Sequence, residues 1–302
     1  MSKSILKVKY TGVRSSIYGP KGGFPTTEEW QKAIDKMQSY FPGSVPCAVW
    51  IVAPINVTNN KGYCSLEFPQ DKDDKKDYKN ILFAKEDRHT SFLKYFDEHG
   101  IKVFLQVESG MADVEDLIDI ILKKYGKHRC VTGFGVDVEW YQSMGKDKNE
   151  EWQMNGETYF VPVTDELASK WEGKVKSYNK DFRLFLKHWI GGSDIMPATY
   201  RGDIIFISDS QGFYKEGKAP EECLNAMINE FTGYWAPIFY PNPVGFQIGY
   251  DSDSNNDKLW WSKLPQPYPK SVGEAIFSKI PKDQECSIFW VDFTLREVLL
   301  DK

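Results

Sequence analysis

A chain of 302 residues, 41% hydrophobic and 15% aromatic, can bury a large core, so its size suits one large α/β domain or two ordinary ones. Its 38 basic and 43 acidic residues leave a net charge of −5, which provides no sequence-wide basic field and sets aside nucleic acid and anionic membrane as partners. No apolar run approaches the roughly 20 residues of a membrane-spanning helix. Met1 to Tyr10 alternate and carry lysines, so no signal peptide is expected in this chain, and the compartment stays open with secretion after processing preferred.

Taken in order, apolar strand-like runs alternate with stretches of helical period. A strand over 6–13 leads to a helix over 27–40, a strand over 47–55 to a helix over 88–98, and a strand over 102–107 to a helix over 113–124. A strand over 131–140 leads to a helix over 165–178. Strands over 182–189 and 203–209 follow, then a helix over 220–231, a strand over 244–250, a helix over 271–280 and a strand over 287–293. Thr26 or Thr27 before Glu28 and Glu29, Asp113 before Glu115 and Asp116, and Thr164 before Asp165 and Glu166 set acidic groups at helix N-termini, where the dipole favours them.

Eight strands in alternation with helical stretches, the strands apolar on both faces, predict an α/β fold in which residues 1–302 form a single (β/α)8 barrel domain. An open doubly wound sheet would share the alternation, since periodicity does not report closure. The long connections over 56–85 and 141–163 follow the second and fourth strands. They are expected either to shape a site at the C-terminal face or to be tolerated surface insertions.

Side chains alternate along a strand, so Phe134, Val136 and Val138 share one face while Gly135, Asp137 and Glu139 share the other. The two acids are then expected inside the barrel mouth, where like charges close together raise the proton affinity of one and prepare it as a general acid. The alternative is that both pair with an internal base, for which Lys187 is the main candidate. Gln106, Glu108, Asp209, Gln211, Gln247, Tyr250, Trp290 and Asp292 fall at or near strand C-termini and can line one cup, with Trp290 the best stacking face. Trp140 and Tyr141 either offer a further aromatic face or close the barrel end, and His188 and Trp189 end the fifth strand.

No cofactor and no metal is expected. The four histidines form no spaced pair for zinc. Asp251 to Asp257 has the oxygen spacing of a calcium loop, but Asn256 replaces its turn glycine and Ser262 its bidentate acid. The five cysteines read as buried thiols rather than a disulfide framework. No phosphate loop or nucleophile elbow is present.

The stretch Thr132-Gly-Phe-Gly-Val-Asp-Val-Glu139 resembles the Asp-x-x-Asp-x-Asp-x-Glu strand of family 18 glycoside hydrolases, the chitinases and endo-β-N-acetylglucosaminidases. Thr132 and Gly135 stand where that family usually has Asp. Lys102 to Gly110 resembles the family's third strand, and Ile288-Phe-Trp-Val-Asp292 its last strand with a pocket-floor tryptophan. The resemblance implies retaining, substrate-assisted hydrolysis of a β-linked N-acetylhexosamine glycan, with Glu139 as the acid and Asp137 orienting the substrate's acetamide. Its substrate would be an oligosaccharide or polysaccharide. Asp137-Val-Glu139 also resembles the fourth strand of family 25 muramidases, whose acid on strand one has no match here, and a non-catalytic carbohydrate-binding barrel is the third reading.

Overall fold

The structure, a computed structural model, describes residues 8–59, 61–146, 152–154, 160–189, 191–213, 218–250, 261 and 264–300, with backbone alone at 145, 146 and 152–154. Eight parallel strands close into a barrel. Their order around it is β1 (Val8–Ser15), β13 (Cys286–Val291), β12 (Val244–Ile248), β11 (Ile205–Asp209), β10 (Arg183–His188), β7 (Val131–Asp137), β6 (Lys102–Val107) and β2 (Val45–Ala53). The flanking helices are α1 (Thr27–Tyr40), α2 (Thr90–His99), α3 (Val114–Tyr125), α4 (Asp165–Tyr178), α5 (Pro220–Asn229), α6 (Ala236–Phe239), α7 (Tyr268–Phe277) and α8 (Leu295–Leu299). The fold is the (β/α)8 barrel expected from the alternation. No helix among the described residues is long and apolar enough to cross a membrane.

Several helices begin where local chemistry directs. Thr26 Oγ1 accepts from Glu29 N while Glu29 reaches back to Thr26 N, and Asp113 accepts from the amides of Glu115 and Asp116. Thr164 accepts from Leu167 N. Each cap satisfies amides that the first helical turn leaves without partners. Helix α2 starts two residues later than expected because Asp87 takes the amides of His89 and Thr90 and the Thr90 hydroxyl. Helix α7 starts three residues earlier, with Pro269 in the first turn where a missing N–H costs nothing.

The chain forms two compact units, one of Met1–Val49, Trp189–Ser193 and Ile205–Lys302, the other of Trp50–His188 and Asp194–Ile204. In the first, β13 lies between β1 and β12, setting Arg14 beside Val291 and Gln247 beside Phe289, and β11 sets Asp209 beside Gln247. In the second, β7 lies between β6 and β10, so Gly135 is flanked by Gln106 and Phe185, and Asp137 by Lys187.

The connection after β2 is not an irregular loop. Strands β3 (Ile55–Thr58), β4 (Lys61–Leu66) and β5 (Ile81–Phe83) build a small separate sheet, and alternate side chains of β4 are buried. After β7, β8 (Ser143–Lys146) and β9 (Trp152–Met154) form an antiparallel pair. Gly62 lets the two insertions meet, since a Cβ there would stand 2.0 Å from the Ser143 carbonyl oxygen.

One local expectation fails. β7 ends at Asp137, and Val138–Trp140 turn into a 3-10 helix closed by Tyr141 N donating to Val138 O at 3.2 Å. Glu139 therefore does not owe its direction to strand alternation.

Candidate active site

In the unit that holds β6, β7 and β10, the side chains of Phe104, Gln106, Asp137, Phe185 and Lys187 share one face with Gly133 and Gly135. Packing accounts for Gly135, one of the two positions at which the family 18 pattern is missing. A Cβ at Gly135 would meet the Phe185 ring at 1.9 Å, and one at Gly133 would meet the Phe104 ring at 2.6 Å. The two rings pack edge to face at 5.7 Å and occupy the space that a second acid at position 135 would need.

Above the rings sits the charge. Lys187 Nζ lies 2.9 Å from Asp137 Oδ2 and 3.4 Å from Glu139 Oε2, with Lys187 and Asp137 fully buried and Glu139 nearly so. Gln106 Nε2 donates to the same Asp137 oxygen at 3.3 Å. Burial holds the Asp137 carboxyl well above the usual carboxylate range; the Lys187 ammonium opposes this, and the charges of Glu139 and Glu108 add to it. Asp137 Oδ1 and Gln106 Oε1 are buried with no hydrogen-bond partner among the described residues. Gln106 Oε1 can accept from a sugar hydroxyl, an amide or water, and Asp137 Oδ1 can accept when the carboxyl is ionised or donate when it is protonated.

The structure thus brings Gln106, Asp137 and Glu139 together around Lys187, the internal base anticipated as their alternative partner. Other expected residues in this unit are engaged elsewhere. Glu108 Oε2 accepts from Ile55 N at 2.9 Å, which ties the edge of the small sheet to the end of β6. Tyr141 packs its ring on Trp171 of α4 at 5.3 Å, so that aromatic face closes against a helix. Trp140 is half-buried on the 3-10 turn, and the buried His188 meets the Phe160 ring at 4.8 Å.

In the other unit, Asp209 and Gln247 are fully buried side by side, and neither polar atom of the Gln247 amide has a partner among the described residues. Asp209 Oδ1 accepts from Gln211 N at 2.9 Å, which makes a turn that leaves Gln211 itself exposed. Trp290 is enclosed rather than open: its Nε1 donates to Thr294 Oγ1 at 3.0 Å and its ring meets Trp261 at 5.3 Å. Tyr250 is buried against Phe293.

Asp292 is paired with Arg14 at 3.2 Å and also accepts from Ser16 N and, at 2.9 Å, Ser16 Oγ. Burial raises its proton affinity, and Arg14 and Ser16 counter that. Arg14 escapes sequence reasoning because one base in an apolar strand reads as an exposed position. The end of β1 therefore presents a cation, not an acid of the family 25 kind.

All five cysteines are buried free thiols. The calcium-like stretch from Asp251 to Asp257, with Asn256 and Ser262, lies outside the described residues.

No family model matches the chain, and no curated protein matches it. Among solved structures, the chain is similar to a β-glucuronidase from Ruminococcus gnavus in complex with D-glucaro 1,5-lactone, at 12% identity and a TM-score of 0.47 over 94% of this chain and 43% of that one. It is also similar to a β-mannanase from the blue mussel Mytilus edulis, at 10% identity and a TM-score of 0.45 over 97% and 91% of the two chains. An intracellular xylanase from Thermoanaerobacterium saccharolyticum stands at 11% identity and a TM-score of 0.44 over 96% and 88%. The chain spans less than half the length of the glucuronidase. These neighbours are glycoside hydrolases with barrel folds, none of them named a chitinase. Likenesses this distant carry no argument about chemistry.

Proposed function

We propose that residues 1–302 act as one barrel domain that hydrolyses a glycan containing β-linked N-acetylhexosamine, by the retaining, substrate-assisted route. In this reading Glu139 gives its proton to the glycosidic oxygen. Asp137 accepts from the N–H of the substrate's acetamide and steadies it as the acetamide oxygen attacks the anomeric carbon, so no enzyme nucleophile and no cofactor takes part. Gln106, Trp140, Asp209, Gln247 and Asp292 are kept as proposed contacts to an oligosaccharide or polysaccharide, together with Glu108, Tyr141, Gln211, Tyr250 and Trp290.

The observation that supports the reading is the buried Asp137 carboxyl, whose Oδ1 has no partner among the described residues and whose Oδ2 shares Lys187 with Glu139. Cleavage of chito-oligosaccharides, N-glycans and peptidoglycan by the parent and by Glu139→Gln tests it. Cleavage of one of the first two that depends on Glu139 supports it, cleavage of peptidoglycan alone favours the muramidase reading, and no Glu139-dependent cleavage defeats both.

A second reading, a non-catalytic sugar-binding barrel, is favoured by Lys187 itself, since one buried ammonium 2.9 Å from Asp137 and 3.4 Å from Glu139 gives the two acids a structural role as its ion-pair partners. It predicts glycan binding without turnover on every substrate.

A further inference from the structure

At the start of β7, the end opposite Asp137, three side chains of different chemistry converge. Asp97 projects from α2, and His128 and Cys130 from the turn that joins α3 to β7. His128 Nδ1 is 2.7 Å from Asp97 Oδ2, and one donor atom from each of the three residues lies within 4.8 Å of the other two. Cys130 is buried, while Asp97 and His128 are partly exposed. We propose that these residues form a structural binding site for a borderline-soft divalent cation of the zinc class, with Asp97 Oδ2, His128 Nδ1 and Cys130 Sγ as protein ligands and water as the fourth.

The donor set fits that ion. A carboxylate, an imidazole nitrogen and a thiolate are ligands zinc accepts, and one carboxylate with one thiolate balances a charge of two. Tetrahedral coordination at zinc bond lengths places donor atoms roughly 3.3–3.8 Å apart. Binding therefore opens the Asp97–His128 hydrogen bond by about half an ångström and draws the sulfur inward, movements that two partly exposed side chains can make.

The backbone that carries the ligands is already held. Cys130 N donates to Asp97 Oδ1 at 2.6 Å, Val131 N to His128 O at 3.1 Å, and His128 N to Tyr125 O at 3.0 Å. A cavity of about 250 Å³, lined in part by Asp97, Gly100 and Cys130, adjoins the cluster and has room for the water ligand.

Binding expels the thiol proton from Cys130 and moves the His128 proton to Nε2, so affinity should rise with pH. Burial and the Asp97 carboxylate push the Cys130 thiol well above its usual range, with the Lys102 ammonium opposing them, so the incoming ion has to displace the thiol proton. The ion would staple the end of α2 to the turn immediately before β7. The sequence hides this site because only the spacing His128-x-Cys130 is local, and the carboxylate arrives from another βα unit.

Cobalt(II) is the probe. Titrated into the full chain after chelator treatment, it should bind at one equivalent and give a sulfur-to-cobalt charge-transfer band with intense tetrahedral visible bands. Cys130→Ser should lose the charge-transfer band, and His128→Ala, at a partly exposed position, should weaken binding by about tenfold or more. Zinc should raise the Tm of the parent by more than that of either variant. A parent without the charge-transfer band overturns the proposal. So does a band that survives Cys130→Ser, or equal zinc stabilisation of parent and His128→Ala.

Discussion

Lys187 Nζ lies 2.9 Å from Asp137 Oδ2, while Asp137 Oδ1, on the same buried carboxylate, meets no hydrogen-bond donor among the described residues. The lysine is the electrostatic counterweight of the barrel mouth. Lys187→Met keeps the stem and removes the charge, leaving two nearly buried acids uncompensated, and should cost about 3–5 kcal/mol. Adding Asp137→Asn should recover a large part of that loss. Urea unfolding of the two variants and the parent checks it, and additive losses would show that the pair is not coupled.

On a verified glycan, Glu139→Gln should lower turnover by about 10²- to 10⁴-fold while affinity stays within a few-fold. Asp137→Asn should also slow turnover. The double variant should be scarcely slower than the poorer single one, because residues that act as one unit lose their joint contribution when either is removed. Steady-state kinetics with separate kcat and KM reads this. Near-parental activity of Glu139→Gln would place the acid elsewhere, with Asp209 and Asp292 next to test.

Gly135→Ala should destabilise the barrel by about 1–3 kcal/mol, because the new methyl meets the Phe185 ring at 1.9 Å and overpacks the interior. In a Phe185→Leu background the same change should cost less. Thermal unfolding of the four proteins of this cycle measures the coupling.

A second polar network in the same unit makes stability depend on pH. Trp50 Nε1 donates to His89 Nδ1 at 3.0 Å, which leaves the His89 proton on Nε2, 3.4 Å from Glu67 Oε2. Burial, helped by the Glu108 charge against that of Arg88, pushes the Glu67 carboxyl from 4.5 up to about 7. Burial also pushes His89 from 6.5 down to about 4, with Asp87 opposing and Arg88 adding. The Glu67 contribution is full below pH 4.5 and is lost as pH rises through about 7. The His89 contribution is full above pH 6.5 and is lost as pH falls through about 4. The two slopes oppose each other between pH 4.5 and 6.5.

Glu67→Gln should therefore make stability rise with pH across that window, by at most about 1.4 kcal/mol per pH unit, and His89→Gln should make it fall. Urea midpoints taken at several pH values distinguish the two. Flat profiles for both variants would sink the account.

The alternation of strand and helix periods, the caps at Thr26, Asp113 and Thr164, and the presence of two acids at the end of the fourth barrel strand were all legible in the chain, because each is set by neighbours a few residues away. Periodicity could not show barrel closure, nor that Val138–Trp140 leave the strand for a 3-10 turn. It missed the small sheet of β3, β4 and β5, in which β3 and β4 form a local hairpin but β4 and β5 pair across the long stretch 67–80. Glycine at 135 looks like a lost acid until β10 sets Phe185 at the same height. Lys187 and Asp137 are fifty residues apart, and parallel register alone brings them to 2.9 Å. Such contacts follow from which strands neighbour each other and at what height, and a run of residues read along its own length does not carry that information.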